Sequence, residues 1–249
     1  MMAARLTPAG TGWLLPAVLS TTAGTVDVIG FLALGGLFTA HITGNVVVLA
    51  AHYVTGGFGE VGPLLAVPVF VAVLGLVTLA TVEAEKARYR PRQALLVLQA
   101  VLLAGCLGLG VGFGPFADAE RPMAVFVGML AVAAMATQNA LIKLALPGAP
   151  STAVMTTNTT QLTVDLATVI WGRAEPDDLA KARRRVRLTF PCVIGFVAGC
   201  VAGAVLDIHF GLAALTLPVL LAVLAIPLGQ VWGNGQKVPQ HGKWRETAR

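Results

Sequence analysis

Residues 39–54 read TAHITGNVVVLAAHYV, and residues 151–172 read STAVMTTNTTQLTVDLATVIWG. How these two stretches are counted decides the fold. Each follows a Gly/Pro-containing break, Gly35-Gly36 in the first case and Pro147-Gly148-Ala149-Pro150 in the second. The first is short for a membrane span, which needs about 20 apolar residues. The second is long enough, but rich in Thr, Asn, Gln and Asp. Around them lie six apolar stretches of spanning character, at about 13–36, 63–82, 94–113, 122–145, 187–206 and 210–230. Trp13, Trp171 and Trp232 stand at segment ends, where amphipathic rings favour the membrane interface.

Composition fixes the class. Of the 249 residues, 56% are apolar and 12% charged, against about 25% charged in soluble domains. Mean hydropathy is +0.80. A soluble domain of this size cannot hide that much hydrocarbon. An ordinary soluble enzyme, a disordered chain and a nucleic-acid-binding module are excluded, and the lipid bilayer becomes the first expected partner. The net charge of +5 does not change this, because its distribution is that of loops. Fourteen of the 17 Lys and Arg residues fall in three blocks: 83–92, 173–187 and the tail. Cys106, Cys192 and Cys200 lie in apolar runs without CxxC spacing and read as buried small side chains.

Charge then counts the spans. If 39–54 and 151–172 both crossed, three spans would separate the basic loops 83–92 and 173–187 and put them on opposite sides. If both enter and leave on one side, the N-terminus (1–12), both basic loops and the tail (231–249) are all cytoplasmic, as the positive-inside rule requires. The outer loops 114–121 and 207–209 then keep Arg121 as their one strong base. The expected fold is an all-α polytopic membrane protein of six transmembrane helices with two re-entrant or broken polar segments.

A faint repeat supports this count. Thr39, Ala40, Thr43, Asn45 and Leu49 recur as Thr152, Ala153, Thr156, Asn158 and Leu162, at an offset of 113. With one residue inserted, Asp27 falls opposite Asn139. The halves are 13–113 and 122–230, each in the order span, re-entrant segment, span, span. Three spans per half is odd, so the second half must be inverted. Inverted halves with matching broken helices point to a midplane transport site.

The polar residues at that depth are the candidates for the substrate or ion pathway. Asp27 sits mid-span, where a carboxylate costs about 2.5–3.5 kcal/mol on insertion scales. It serves either as a proton- or cation-binding group or as a hydrogen-bonded tie to the re-entrant segment. Thr43, Gly44 and Asn45 stand where the first re-entrant helix begins, with Thr43 expected as its cap. Thr156, Thr157 and Asn158, followed by Gln161, are their counterparts. Gln138 and Asn139 lie opposite Asp27. His41, His52 and Asp165 are secondary candidates, with His52 and Asp165 also matching at offset 113. No spacing fits a metal site, a phosphate loop or a nucleophile elbow, so no metal, cofactor or enzymatic activity is expected. Gly108-Leu-Gly-Val-Gly112 reads as a helix-packing run.

The stretch Ala23-Gly24-Thr25-Val26-Asp27-Val28-Ile29-Gly30-Phe31 through Thr43-Gly44-Asn45 resembles the start of the YoaK-like family of bacterial membrane proteins, known as domain of unknown function 1275. Gln138-Asn139-Ala140 and the Thr-rich stretch Met155 to Asp165 are similar to its second signature. The resemblance covers about residues 14–230 and implies a multispanning bacterial inner-membrane protein. It brings no substrate or reaction. Two readings remain: a transporter or channel for a small solute or ion, and a non-transporting scaffold or assembly factor. Association with further copies of the chain is left open.

Overall fold

The computed structural model describes residues 12–55, 61–86, 89 and 91–235, without the side chains of residues 85 and 233–235. The expected cytoplasmic positions of residues 1–11 and of the tail from 236 onward, and Arg88 and Arg90 of the first basic loop, lie outside the described residues.

All regular structure among the described residues is helical. α1 is Leu14–Ala33, α2 Ile42–Thr55, α3 Val61–Lys86 and α4 Pro91–Phe113. α5 is Pro122–Ala140, continued by a π-helical turn at Leu141–Ala145. α6 is Met155–Trp171 and α7 Pro176–Phe210. A 3₁₀ turn at Gly211–Leu215 leads into α8, Thr216–Gly235. Among the described residues, five helical stretches are long and apolar enough to cross a membrane: Leu14–Ala33, Val61–Ala84, Pro91–Phe113, Pro122–Ala145 and Pro176–Trp232. The last runs for 57 residues and contains both α7 and α8.

The two breaks fall where the sequence puts them. α1 stops at Gly35 and Gly36, whose φ angles of 69° and 80° suit residues without a Cβ. The Gly36 N–H returns to the Phe31 carbonyl. α2 is a short apolar helix of 14 residues, and only Asn45 on it is buried. α6 buries Asn158, Leu162 and Asp165 along one stripe. Thr156, Thr157, Thr159, Thr160, Gln161 and Thr163 are exposed around the rest of it.

Two boundaries correct the expected ones. The expected span at 187–206 is the middle of a 35-residue helix that begins at Pro176. The basic block reads as loop by charge, but Ala, Leu, Lys and Arg are strong helix formers. Pro176 at the first position, with Asp177 and Asp178 in the first turn, starts the helix well. The expected outer loop at 207–209 is helical, and the chain turns at 211–215 instead. Asp207 and His209 dip the hydropathy without ending the helix. Gly108-Leu-Gly-Val-Gly112 is helical, yet only Gly110 among its glycines packs on a neighbour, Leu212.

α1 and α5 are central, with 67% and 72% of their apolar windows enclosed, against 17% for α3. α1 packs on α7 and α8, while α5 packs on α3 and α4. α4 packs on α8 across the bundle. α2 rests on α3, and α6 on α7. Leu76, Leu79, Val201, Ile208 and Leu220 are exposed on the outer faces, as lipid-facing residues would be.

The α1–α7 contact is the closest. A Cβ on Gly199 would overlap the Thr21 carbonyl oxygen, and one on Gly24 would overlap the Phe196 carbonyl oxygen. Thr25 Oγ1 donates to the Gly199 carbonyl at 3.1 Å. Small residues let helix backbones approach in lipid, where packing rather than water exclusion drives association. Gly199→Ala is expected to cost about 1–3 kcal/mol, because the obstacle is backbone and cannot rotate away. Gly108→Ala, with no atom in its way, is expected to stay within about 0.5 kcal/mol. Unfolding of the detergent-solubilised protein measures both, and equal midpoints would refute the close-packing account.

Candidate functional site

The break after α1 would strand backbone N–H groups inside the bundle. Asp27, 4% exposed, meets them. Its Oδ1 accepts from Thr39 N at 2.7 Å and Ala40 N at 2.8 Å. The Thr39 hydroxyl at 3.3 Å and His41 N at 3.5 Å add longer contacts. Its Oδ2 lies 2.7 Å from His41 Nδ1. The chain between α1 and α2 is therefore wrapped around one carboxylate, and Asp27 does act as the tie that the sequence allows.

Asn45 closes the same loop from α2. Its Oδ1 accepts from Phe38 N at 2.9 Å, and its Nδ2 donates to Phe38 O at 2.7 Å. Gly44 lets the Phe38 ring approach, since a Cβ there would come within 2.9 Å of it. Thr43 is not the cap expected of it. α2 begins at Ile42, which leaves Thr43 exposed in the first turn, and Asp27 and Asn45 already satisfy the preceding backbone.

The second break repeats the device with different groups. Asn158 Nδ2 donates to Ser151 O at 2.5 Å, again across seven residues. Thr152, the counterpart of Thr39, receives Gln138 Nε2 on its hydroxyl at 2.8 Å. Gln138 Nε2 also donates to Leu19 O of α1 at 3.0 Å, and Gln138 Oε1 accepts from Gln99 Nε2 at 2.6 Å. Gln138, not Asn139, thus takes the place of Asp27. Asn139 bonds within its own helix, to Met135 O at 2.9 Å.

The remaining candidates do not converge on either cluster. Thr156, Thr157 and Gln161 sit on the exposed side of α6. Asp165 is paired with Arg185 of α7, Oδ1 to Nη2 at 2.6 Å. That guanidinium, with the Gln161 amide, holds the Asp165 carboxyl below the usual carboxylate range. His52 is half-buried, and its Nδ1 has no hydrogen-bond partner among the described residues. It does not reproduce the role of Asp165, because Ala72 stands where the repeat would need a second arginine.

Beside Asp27 a cleft of about 290 Å³ opens between α1 and α7. Phe31, Phe38 and Phe196 line it together with Val28, Cys200 and the Asp27–His41 pair. The His41 and Phe196 rings meet edge to face at 5.3 Å, and Phe31 and Phe38 lie 5.0 Å apart. Sequence reasoning missed the three rings and Gln99. Gln99 was findable as the lone amide within an apolar span. The rings carry no such mark, since phenylalanine is common in lipid-facing helices.

Comparison with known proteins places this arrangement. The family described as "Protein of unknown function (DUF1275)" matches residues 15–227. The chain belongs to that family. A 35-residue stretch is 60% identical to the UPF0700 transmembrane protein YoaK of Bacillus subtilis (strain 168), covering 14% of this chain and 16% of that protein. The chain thus matches only a small part of that relative's length. No solved structure matches. The five helical stretches long and apolar enough to cross a membrane agree with that relative's description as a transmembrane protein, and the matched family range takes in both breaks and both amide clamps.

Asn45→Ala removes both bonds to Phe38 and leaves its N–H and carbonyl without partners. It is expected to cost about 2–3 kcal/mol. Asn139→Ala, which loses one intrahelical bond, is expected to cost less than about 1 kcal/mol. Thermal unfolding in detergent compares the two, and a reversed order would show that the clamp does not hold the loop.

Proposed function

We propose that the chain is a transporter or channel for a small solute or ion, with its polar site at the bilayer midplane. The supporting observation is the duplicated clamp, Asn45 on Phe38 and Asn158 on Ser151. Each clamp sets the start of a short helix inside the bundle. The two networks touch α1 at Asp27 and at Leu19 O, eight residues and so about 12 Å apart along a helix. They straddle the middle of Leu14–Ala33, as two broken segments approaching from opposite faces would. Discontinuous helices at matching positions of inverted halves are the usual place for transported solutes.

The helix contacts support two inverted halves, 13–113 and 122–230. Exchanging α1–α4 with α5–α8 turns the α1–α7 contact into α5–α3, α1–α8 into α5–α4, and α2–α3 into α6–α7. In this reading α2 and α6 are re-entrant, the other six helices span a bacterial inner membrane, and both termini are cytoplasmic. The helical extension of α7 holding Lys181, Arg183, Arg184, Arg185 and Arg187 is then on the cytoplasmic side, where basic residues collect.

A scaffold or assembly factor is the second reading. It is favoured by the amides of Asn45 and Gln138, which bond within the protein. Flux separates the two. Proteoliposomes of the purified chain, screened against small metabolites and ions, are expected to show a pathway that Asp27→Asn or Asn45→Ala slows at least about tenfold. Flux unchanged in both variants would overturn the midplane site. No flux for any solute, with a stable partner protein in pull-downs, would favour the scaffold.

A further inference from the structure

We infer that the cleft between α1 and α7 binds a small organic cation with an apolar body, in competition with a proton on His41. The inference rests on the proposed transport site and names its substrate class. It follows from three properties of the cleft.

The first is charge. Asp27 Oδ1 accepts from two backbone N–H groups. That arrangement fits a carboxylate rather than a carboxylic acid. The one proton between Asp27 Oδ2 and His41 Nδ1 therefore sits on the ring nitrogen. With His41 otherwise neutral, the pair carries a charge of −1 in the lining of an apolar cleft. With Nε2 protonated as well, the pair is neutral. The titratable groups facing the cleft are Asp27 from α1, His41 from the connection and Cys200 from α7. Cys200 Sγ donates its proton to the Gly24 carbonyl and adds no charge. Among the described residues no Lys or Arg lines the cleft, so there an anion would meet Asp27 with no Lys or Arg as counter-charge.

The second property is the walls. Phe31, Phe38 and Phe196 surround the pair, and a cation is attracted to phenyl faces most strongly where water is excluded. Three rings with one carboxylate favour an ammonium group carrying hydrocarbon over a hydrated metal ion. The third is size. A volume of about 290 Å³ holds about ten non-hydrogen atoms, at about 30 Å³ for each water-sized unit. As the cation binds, imidazolium His41 releases its Nε2 proton to water, and no other bond changes. Bound cation and second proton exclude each other, the elementary requirement for exchange across a membrane. The neutral cluster at Gln138 has no such pair, since Val154 stands at the position matching His41.

The test is calorimetric titration of the purified full-length chain, in detergent, with benzyltrimethylammonium, benzyl alcohol and benzoate. Benzyltrimethylammonium is expected to bind at least about tenfold more tightly than the other two. Its affinity is expected to rise with pH by up to about tenfold per pH unit, and to level off only above the ordinary histidine range, because the hydrogen bond to the Asp27 carboxylate holds the His41 pKa up. His41→Gln is expected to keep binding and lose the pH dependence. Cys200→Leu, which puts a larger side chain into the cleft lining against α1, is expected to weaken binding at least about tenfold, with its unfolding midpoint measured alongside so that loss of the cleft is separated from loss of the fold. The wild-type series alone decides the ligand class. Equal or tighter binding of benzoate or benzyl alcohol, no binding of the cation, or an affinity flat with pH would overturn the inference. Binding of the cation with no flux of any solute in proteoliposomes leaves the inference standing and removes the transport reading. Flux of another solute without cation binding does the reverse.

Discussion

A helix broken inside an apolar bundle strands backbone N–H and C=O groups where no water can reach them, and each must be satisfied from within the protein. Much of this structure follows from that requirement. After α1, the N–H groups of Thr39 and Ala40 are gathered on a single carboxylate oxygen. One amide, Asn45, takes both polar groups of Phe38. A buried charge is costly alone, and so are buried N–H groups. Together each removes the other's penalty, which explains how Asp27 is tolerated mid-span.

The site depends equally on how near α7 comes. Gly195, Gly199 and Gly203 repeat every fourth residue along its α1-facing side, and a Cβ at each would meet α1 atoms. Phe196 and Cys200 follow Gly195 and Gly199 in sequence, one position around the helix, and so reach the cleft beside Asp27. Bulkier residues at those glycines would hold α7 away and take the Phe196 wall off the cleft. Close packing, which in this setting secures the helix pair, also builds the chamber around the charged pair.

Much of this was legible in the sequence because membranes simplify the reading. Hydropathy marks the long helices, and sparse charge marks their ends. The two breaks were visible as Gly35-Gly36 and Pro147-Gly148-Ala149-Pro150, and the clamps as Asn45 and Asn158 at a fixed offset. What failed to show was decided in three dimensions. Residues 176–187 form a helix because their intrinsic propensity outweighs a charge pattern that reads as loop. Asn139 looked like the partner of Asp27 by alignment, yet Gln138 fills that place, because its longer side chain points across to Thr152 and α1. The α6 face bearing Thr156, Thr157 and Gln161 is exposed, so these side chains do not join the buried cluster around Gln138.

The two clusters share a geometry and differ in chemistry, and the difference is informative. Folding alone asks only that Thr39 and Thr152 be met by acceptors or donors of the right reach. Gln138 does this on one side without charge, tying α4, α5, α1 and the connection before α6 through one amide. If structure were the whole requirement, an uncharged side chain would serve at position 27 as well, and the membrane cost of a carboxylate would be avoided. Instead the first cluster keeps Asp27, adds a titratable ring at His41, and leaves that ring half-exposed beside a cleft walled by aromatics. A neutral tie and a titratable tie at matching positions make the bundle asymmetric at its centre. One cluster can change its charge with its surroundings, while the other holds a fixed polarity. That asymmetry is what a structural repeat does not require, and it is why the Asp27–His41 pair, beside the duplicated clamps that support the transport reading, decides the chemistry of the ligand.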